Sequence, residues 1–296
     1  MNVNTISSNY DFEIIGPSYI GRPTNNSFMF LTKKVEGLIN NLNSIEHCLI
    51  FVENGVFVKD IYKSNNCFVF SDNPQLEYAK FALAFKNSID QINKKRVFKN
   101  VDGSLIGENV KIGNNTFIES GCIIGHDVVI GDNCTILAKS IIKNAVIGNN
   151  VFINENSSVG TNGFNITVDE NGNKFRIPTL GKVIVGNNVE IGAFDTIASG
   201  IGGNTIVEDY AKLDARIHVG HDVILRKNVE ITAGCILGGF VEIQEGAYLG
   251  LGSIIKNRIT IGRNAFIGMG SVVMKPVGDD IKVLGNPARP LPQERK

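Results

Sequence analysis

Residues 207–273 read VEDYAKLDARIHVGHDVILRKNVEITAGCILGGFVEIQEGAYLGLGSIIKNRITIGRNAFIGMGSVV, with an aliphatic residue at every sixth position: Val207, Leu213, Val219, Leu225, Ile231, Leu237, Ile243, Leu249, Ile255, Ile261, Ile267 and Val273. Six is an even period, so in an extended chain all of these side chains point to one side, whereas on a helix they would scatter around its circumference. One aliphatic residue in six is too few for the face of a flat sheet. The strands are therefore expected to wind into a coil that stacks the aliphatic residues in columns, and hexapeptide periodicity of this kind predicts a parallel β-helix.

The register extends upstream through Ile106, Ile112, Ile118, Ile124, Ile130, Ile136 and Ile142, drops one residue, and resumes at Ile147, Ile153 and Val159. Gly, Asn and Asp after many of these positions suit corners, where positive φ is cheap for Gly and tolerable for Asn. Residues 161–182 carry turn chemistry and no hexad before Val185, Ile191 and Ile197 restore the phase, and Ser199 to Asn204 form a shorter break. Insertions into a solenoid leave it from one face, often the binding face.

The first hundred residues differ. Short apolar runs (Cys48 to Val52, Val56 to Val58, Cys67 to Phe70) alternate with polar turns and a helical stretch near Val35 to Leu42. A long amphipathic run then follows Asp72-Asn73-Pro74, from Gln75 to about Arg96, and is expected to link a small α/β domain to the first coil. The expected organisation is mainly β: an N-terminal α/β domain over 1–100, a β-helix over 101–276 and a C-terminal tail over 277–296.

With 29 basic and 29 acidic side chains there is no net field, and no basic stripe to neutralise phosphates, so nucleic acid is a poor partner. No apolar run approaches a membrane span, and the N-terminus lacks a signal segment. The five cysteines are scattered, which suits small core residues in a reducing compartment and a cytoplasmic protein. No CxxC or HxxxH spacing suggests zinc.

The tight cluster of catalytic-type residues is Arg216-Ile217-His218-Val219-Gly220-His221-Asp222. Val219 belongs to the inward column, so His218 should face outward, while His221 follows Gly220 near a corner. A histidine held at the surface of a rigid solenoid is suited to take a proton from a nucleophile. A solvated or interface histidine is the plain alternative, and His126 in Ile124-Gly125-His126-Asp127 shows that the same corner can arise with no chemistry attached. Leu237 follows Val219 by three hexads, so Gly238-Gly239 should lie beside the histidines on the next coil, where a glycine NH could polarise a carbonyl. A glycine-rich corner of purely structural purpose fits the spacing equally.

Three segments together resemble the acyl carrier protein-dependent UDP-3-O-acylglucosamine N-acyltransferases, within the hexapeptide-repeat acyltransferases. These are Asn26-Ser27-Phe28-Met29-Phe30 with Lys33-Lys34, then Asn73 to Lys80, and the stretch from Gly160-Thr161-Asn162-Gly163-Phe164 through Ile177-Pro178-Thr179-Leu180-Gly181 to Val189-Glu190-Ile191-Gly192-Ala193. The resemblance implies a left-handed β-helical homotrimer with sites between subunits, His221 as catalytic base, His218 in a supporting place, and the Gly239 NH as oxyanion donor. It implies no bound cofactor or metal. Candidate substrate contacts are Phe28, Asn162, Phe164, Asp214 and Asp222; candidate contacts to the acyl donor are Gly239 and Arg289.

The chain departs from the family at three places. The uracil-stacking aromatic falls near Val35, an acidic residue in the coil before the base falls at Ala198, and the ending Gly285-Asn286-Pro287-Ala288-Arg289-Pro290 resembles CoA-dependent sugar acyltransferases. The expectation is transfer of an acyl group from acyl-CoA, or else from an acyl carrier protein, to the amine of a UDP- or dTDP-linked amino sugar for lipid A or surface polysaccharide. The alternatives are an O-acetyltransferase acting on a hydroxyl acceptor and a non-catalytic scaffold.

Overall fold

The computed structural model describes residues 2–3, 6–7 and 9–290. Residues 101–163, 182–200 and 204–290 form a left-handed parallel β-helix of two- to four-residue strands arranged as three sheets. We call face 1 the sheet that holds Ile224–Leu225, face 2 the sheet that holds Lys212–Leu213, and face 3 the sheet that holds His218–Val219. One coil visits each face once. Val219 pairs with Leu237 and Leu225 with Ile243, a register of 18 residues per coil, as the hexads require.

The hexad column is buried throughout, from Val207 to Val273, but it is only half of the core. Two residues earlier in each hexad a second, mostly smaller side chain also points inward: Ala211, Ile217, Val223, Val229, Cys235, Val241, Ala247, Ser253, Ile259, Ala265 and Ser271 are all buried. Cys122, Cys134 and Cys235 occupy this column, which accounts for their thiols as small core residues. The two inward columns together fill the interior of a narrow coil.

The lost residue shortens one coil, since Ile130 pairs with Ile147. The two breaks lengthen others: Ile147 pairs with Val185, and Val185 with Val207. Gly160 stands where the longer break begins, with φ +85°, and a Cβ there would lie 1.5 Å from the Lys143 carbonyl oxygen. No other residue fits that approach.

The chain divides into two compact units whose boundaries differ from the linear division expected. The solenoid unit begins at Arg96 and includes the residues after 276: Lys282–Leu284 and Arg289–Pro290 add strands to face 2. The other unit joins residues 1–95 to 164–181 and 201–203. Its centre is a four-stranded parallel sheet, Gly16–Pro17, Ser27–Leu31, Leu49–Glu53 and Cys67–Ser71. The strands read as unbroken apolar runs because both faces are covered. Met29, Leu31, Ile50 and Val52 pack with Ile39 and Leu42 of the 3-10 segment Lys33–Ser44. Phe28, Leu49 and Phe51 pack with Tyr78, Ala79, Ala82 and Phe85 of the helix Pro74–Asn93.

That helix does more than link. Asn73 caps it, its side chain accepting from the Leu76 NH at 3.1 Å, and its buried stripe covers the sheet. Ile177 and Ile201, both from the breaks in the hexad pattern, enter the same core, and the buried Tyr78 hydroxyl donates to the Ile201 carbonyl at 2.9 Å. The inserted residues also form a hairpin, Ile166–Val168 with Lys174–Arg176. Residues 1–95 thus complete their core only with chain from the interruptions. Tyr78→Phe should lower unfolding free energy by about 1–2 kcal/mol, the cost of leaving a buried acceptor short of a donor, as measured by denaturant titration.

Candidate active site

Face 3 and the corner that follows it carry the histidines. His218 points outward and is exposed, with Thr196 and Ile236 beside it in register. Partial desolvation and the neighbouring His221 hold its imidazole below the ordinary value. His221 lies in the corner between face 3 and face 1, its side chain only 12% exposed. Both breaks in the hexad pattern open at this same corner, after Ser158–Thr161 and after Thr196–Ala198, each on face 3 and each followed by a strand of face 1.

His221 Nδ1 lies 2.8 Å from Asp222 Oδ2. Asp222 is itself fixed, its NH donating to Thr205 Oγ1 at 2.9 Å, and its side chain is 5% exposed. A carboxylate accepts from Nδ1–H, so the neutral ring carries its lone pair on Nε2. On the next coil stands Gly239: a Cβ there would lie 2.6 Å from His221 Nε2, so the ring occupies the space that any other residue would fill. The 18-residue register therefore brings His221 and Gly239 into contact. The Gly239 carbonyl accepts from Arg258, whereas its NH donates to no group among the described residues.

His126 occupies the equivalent corner four coils earlier and is wired differently. Its Nδ1 accepts from the Glu108 NH at 2.8 Å, its ring meets Phe98, and Asp127 is taken by Arg96 and Asn109. That histidine is consumed by the scaffold. The Asp partner, not the Ile-Gly-His-Asp or Val-Gly-His-Asp string, separates the two corners.

Several expected contacts are placed elsewhere. Phe28 is 0% exposed, sealed in the core by Tyr78, Phe81 and Phe85, so it is a packing residue and not a ligand contact. The reason is strand alternation: Phe28 faces the helix. Asp222 is nearly buried, with its carboxylate engaged by His221. Asp214 lies at the corner between faces 2 and 3, across the His218–Val219 strand from His221, and accepts from the Ala215 and Ala233 NH groups. Arg289 is also remote from Gly239. It lines a cavity of about 570 Å³ with Met274, Lys275, Val277 and Ile281, two coils beyond Gly239. Asn162 is exposed on the solenoid unit, and Phe164, 72% exposed, belongs to the other unit with the Arg176 guanidinium 5.3 Å from its ring. Val35 marks a kink in the 3-10 segment, and Ala198 is buried on face 3. Among the described residues no three His, Cys, Asp or Glu side chains gather as a metal site.

Three features escape a sequence reading: Thr205 behind Asp222, Phe240 against His221, and Asp195. Asp195 takes an inward place beside the coil that holds His218, where other coils have Ser, Cys or Ile. Its carboxyl accepts from the Ile217 NH at 2.7 Å and the Gly192 NH at 3.1 Å. Burial outweighs those two bonds, with Asp214 adding to it, and pushes the group up from 3.8 to about 7.

The chain matches the family profile "bacterial transferase hexapeptide (six repeats)" over residues 109–144. It is 42% identical over 98 residues to UDP-3-O-acylglucosamine N-acyltransferase 2 of Legionella pneumophila, covering 33% of this chain and 28% of that protein. It is 32% identical over 176 residues to UDP-3-O-acylglucosamine N-acyltransferase of Helicobacter pylori, covering 57% and 52%. The aligned stretches thus span about half or less of the length of these relatives. Among solved structures, UDP-N-acetylglucosamine acyltransferase of Francisella novicida superposes with a TM-score of 0.55 at 27% identity, over 64% of this chain and 69% of that one. The Campylobacter jejuni enzyme of the same name superposes with a TM-score of 0.58 at 23% identity, over 65% and 74%, which bears on the fold alone.

The Asp195 carboxyl makes a prediction about pH. In the unfolded chain it loses its proton near 3.8 and in the folded chain near 7, so between those values the folded state binds more protons and stability falls as pH rises. The loss is on the order of 4 kcal/mol across that window. Asp195→Asn, which cannot ionise, should gain on the wild type in melting temperature as pH is raised from 4 to 7, with the gap constant above pH 8.

Proposed function

Because the chain is a homologue of the UDP-3-O-acylglucosamine N-acyltransferases, we propose that it transfers an acyl group from a thioester to the amine of a nucleotide-linked amino sugar, with His221 as general base. The observation that carries this reading is the His221 ring itself: Nδ1 engaged by a buried carboxylate, and Nε2 against the glycine of the next coil.

The acceptor amine attacks the thioester carbonyl carbon and its proton passes to Nε2 of His221. Negative charge gathers on the carbonyl oxygen, where the Gly239 NH donates. Collapse breaks the carbon–sulfur bond, and the departing thiolate takes the proton back from the imidazolium, so atoms and charge balance. Asp222 holds the tautomer and favours the imidazolium while it lasts. His218, exposed one strand earlier and disposed to stay neutral, is the second group facing the acceptor.

The acceptor is a UDP-sugar on the strength of the relatives' names, with dTDP-sugars the variant. The donor is acyl-CoA, on the resemblance of the C-terminal segment and the basic lining of the terminal cavity by Lys275 and Arg289; acyl carrier protein is the other thioester that the chemistry accepts. The working unit is a homotrimer: face 3 sets Ile236 and Ile254 outward on the coils after His218, an apolar strip that association would bury. The five cysteines, all free and buried, suit a cytoplasmic setting; no helix among the described residues is long and apolar enough to cross a membrane.

His221→Ala should fold, keep its oligomeric state and lose about 10²–10⁴-fold in kcat with UDP-3-O-acylglucosamine and an acyl-CoA, the usual range for a general base. Turnover at the wild-type level in that variant would remove the base. A preference for the hydroxy analogue over the amino sugar in the same assay would favour O-acylation.

A further inference from the structure

The corner between faces 3 and 1 takes a left-handed backbone in coil after coil. Asn109, Asp127, Asn144, Asp222, Phe240 and Arg258 all occupy it, with φ between 47° and 62°. Asn and Asp tolerate that region through local hydrogen bonds, whereas a bulky side chain is strained there. At this corner the bulky residues fall on the two coils that directly follow His221.

The contacts that offset this strain lead back to His221. The Phe240 ring meets the His221 ring with centroids 5.2 Å apart and planes at 89°. The Arg258 guanidinium lies over the Phe240 ring, 4.1 Å from its centroid. Among the described residues no carboxylate pairs with Arg258, so the ring is the partner that its position serves. Backbone bonds run the same way: Phe240 NH donates to the His221 carbonyl and Arg258 NH to that of Gly239.

We propose that Phe240, clamped by Arg258, is a positioning residue for His221. Asp222 sets the tautomer through one ring nitrogen and Gly239 leaves room for the other, and the Phe240 ring, perpendicular to the imidazole, is the further side-chain contact that keeps the ring in that place. The phenyl group is only half-buried, and the guanidinium laid on its face holds it in place. The proposal rests on the reading of His221 as the base.

Replacing the strained residues by the one the corner favours gives the test. If Phe240 and Arg258 only fill the corner, Phe240→Asn and Arg258→Asn relieve backbone strain and leave turnover alone. If they position His221, Phe240→Asn lowers kcat at least tenfold with KM for acyl-CoA unchanged, Arg258→Asn lowers it less, and Phe240→Tyr, which keeps the ring, recovers most of the loss. Equal losses in Phe240→Asn and Phe240→Tyr, unchanged kcat, or an effect on KM alone would each overturn the proposal. A readout without substrate separates it from the function proposed above. A ring that shifts when Phe240 is lost also slips off Asp222, so the nitrogen-15 shifts of the His221 ring should be well separated in the wild type, as for one fixed tautomer, and should converge in Phe240→Asn. Converging shifts in a protein that transfers no acyl group would leave the positioning intact and discard the base; shifts that stay separated would discard the positioning.

Discussion

Hydrogen bonding between successive coils is the constraint on which the rest of this structure depends. Each short strand is bonded only to the strands one coil before and after it, so every coil must present its NH and CO groups at the same height and angle as its neighbours. A two-residue strand has too little surface to hold itself. Stacked columns of inward side chains supply what it lacks, and they stay in register only if each coil returns after 18 residues or makes good the difference outside the coil. The hexad residue and the one two positions earlier share this task, and cysteine, serine and alanine recur only in the second column, while the first holds valine, leucine or isoleucine.

The same constraint makes the candidate site. His221 is only seven positions after Asp214, yet they lie at different corners, while His221 and Gly239, eighteen apart, touch. Corners stack as the strands do, so a function assembled on a corner draws on residues one coil apart and is lengthened one coil at a time: His221, then Gly239 and Phe240, then Arg258. Corner geometry also sets a cost, since positive φ recurs there, and Phe240 and Arg258 accept it where Asn or Asp stands at the equivalent corner of the coils before them.

Departures from the register are put to structural use. The extra chain after Val159 and after Ala198 does not remain as loop on the coil; residues 164–181 and 201–203 are grouped with the N-terminal sheet and helix, where Ile177, Ile201 and the Tyr78 hydrogen bond belong to one core. Parallel strands buried on both faces need cover from helix on either side, and the sheet's helix-covered face is completed by this distant chain. A linear division into domains misses this, because hexad phase locates where the insertions begin and end but says nothing of what they pack against.

The sequence by itself determined the β-helix, its 18-residue coil, the phase of every inward aliphatic residue, the places of both interruptions and the adjacency of His221 to the Gly238-Gly239 corner. These follow from a period, and a period survives in one dimension. Only the tertiary structure decided which residues at a corner are engaged. Asp222 turned inward to His221 while Asp127, at the same register position, was taken by Arg96; Phe28 faced a helix; Asp195 was buried with a carboxyl that resists ionisation; Phe240 met the His221 ring with Arg258 over it. Those outcomes depend on side-chain direction and on partners a coil or more away, and burial or pairing of a polar group is a property of its surroundings in space, which spacing along the chain does not carry.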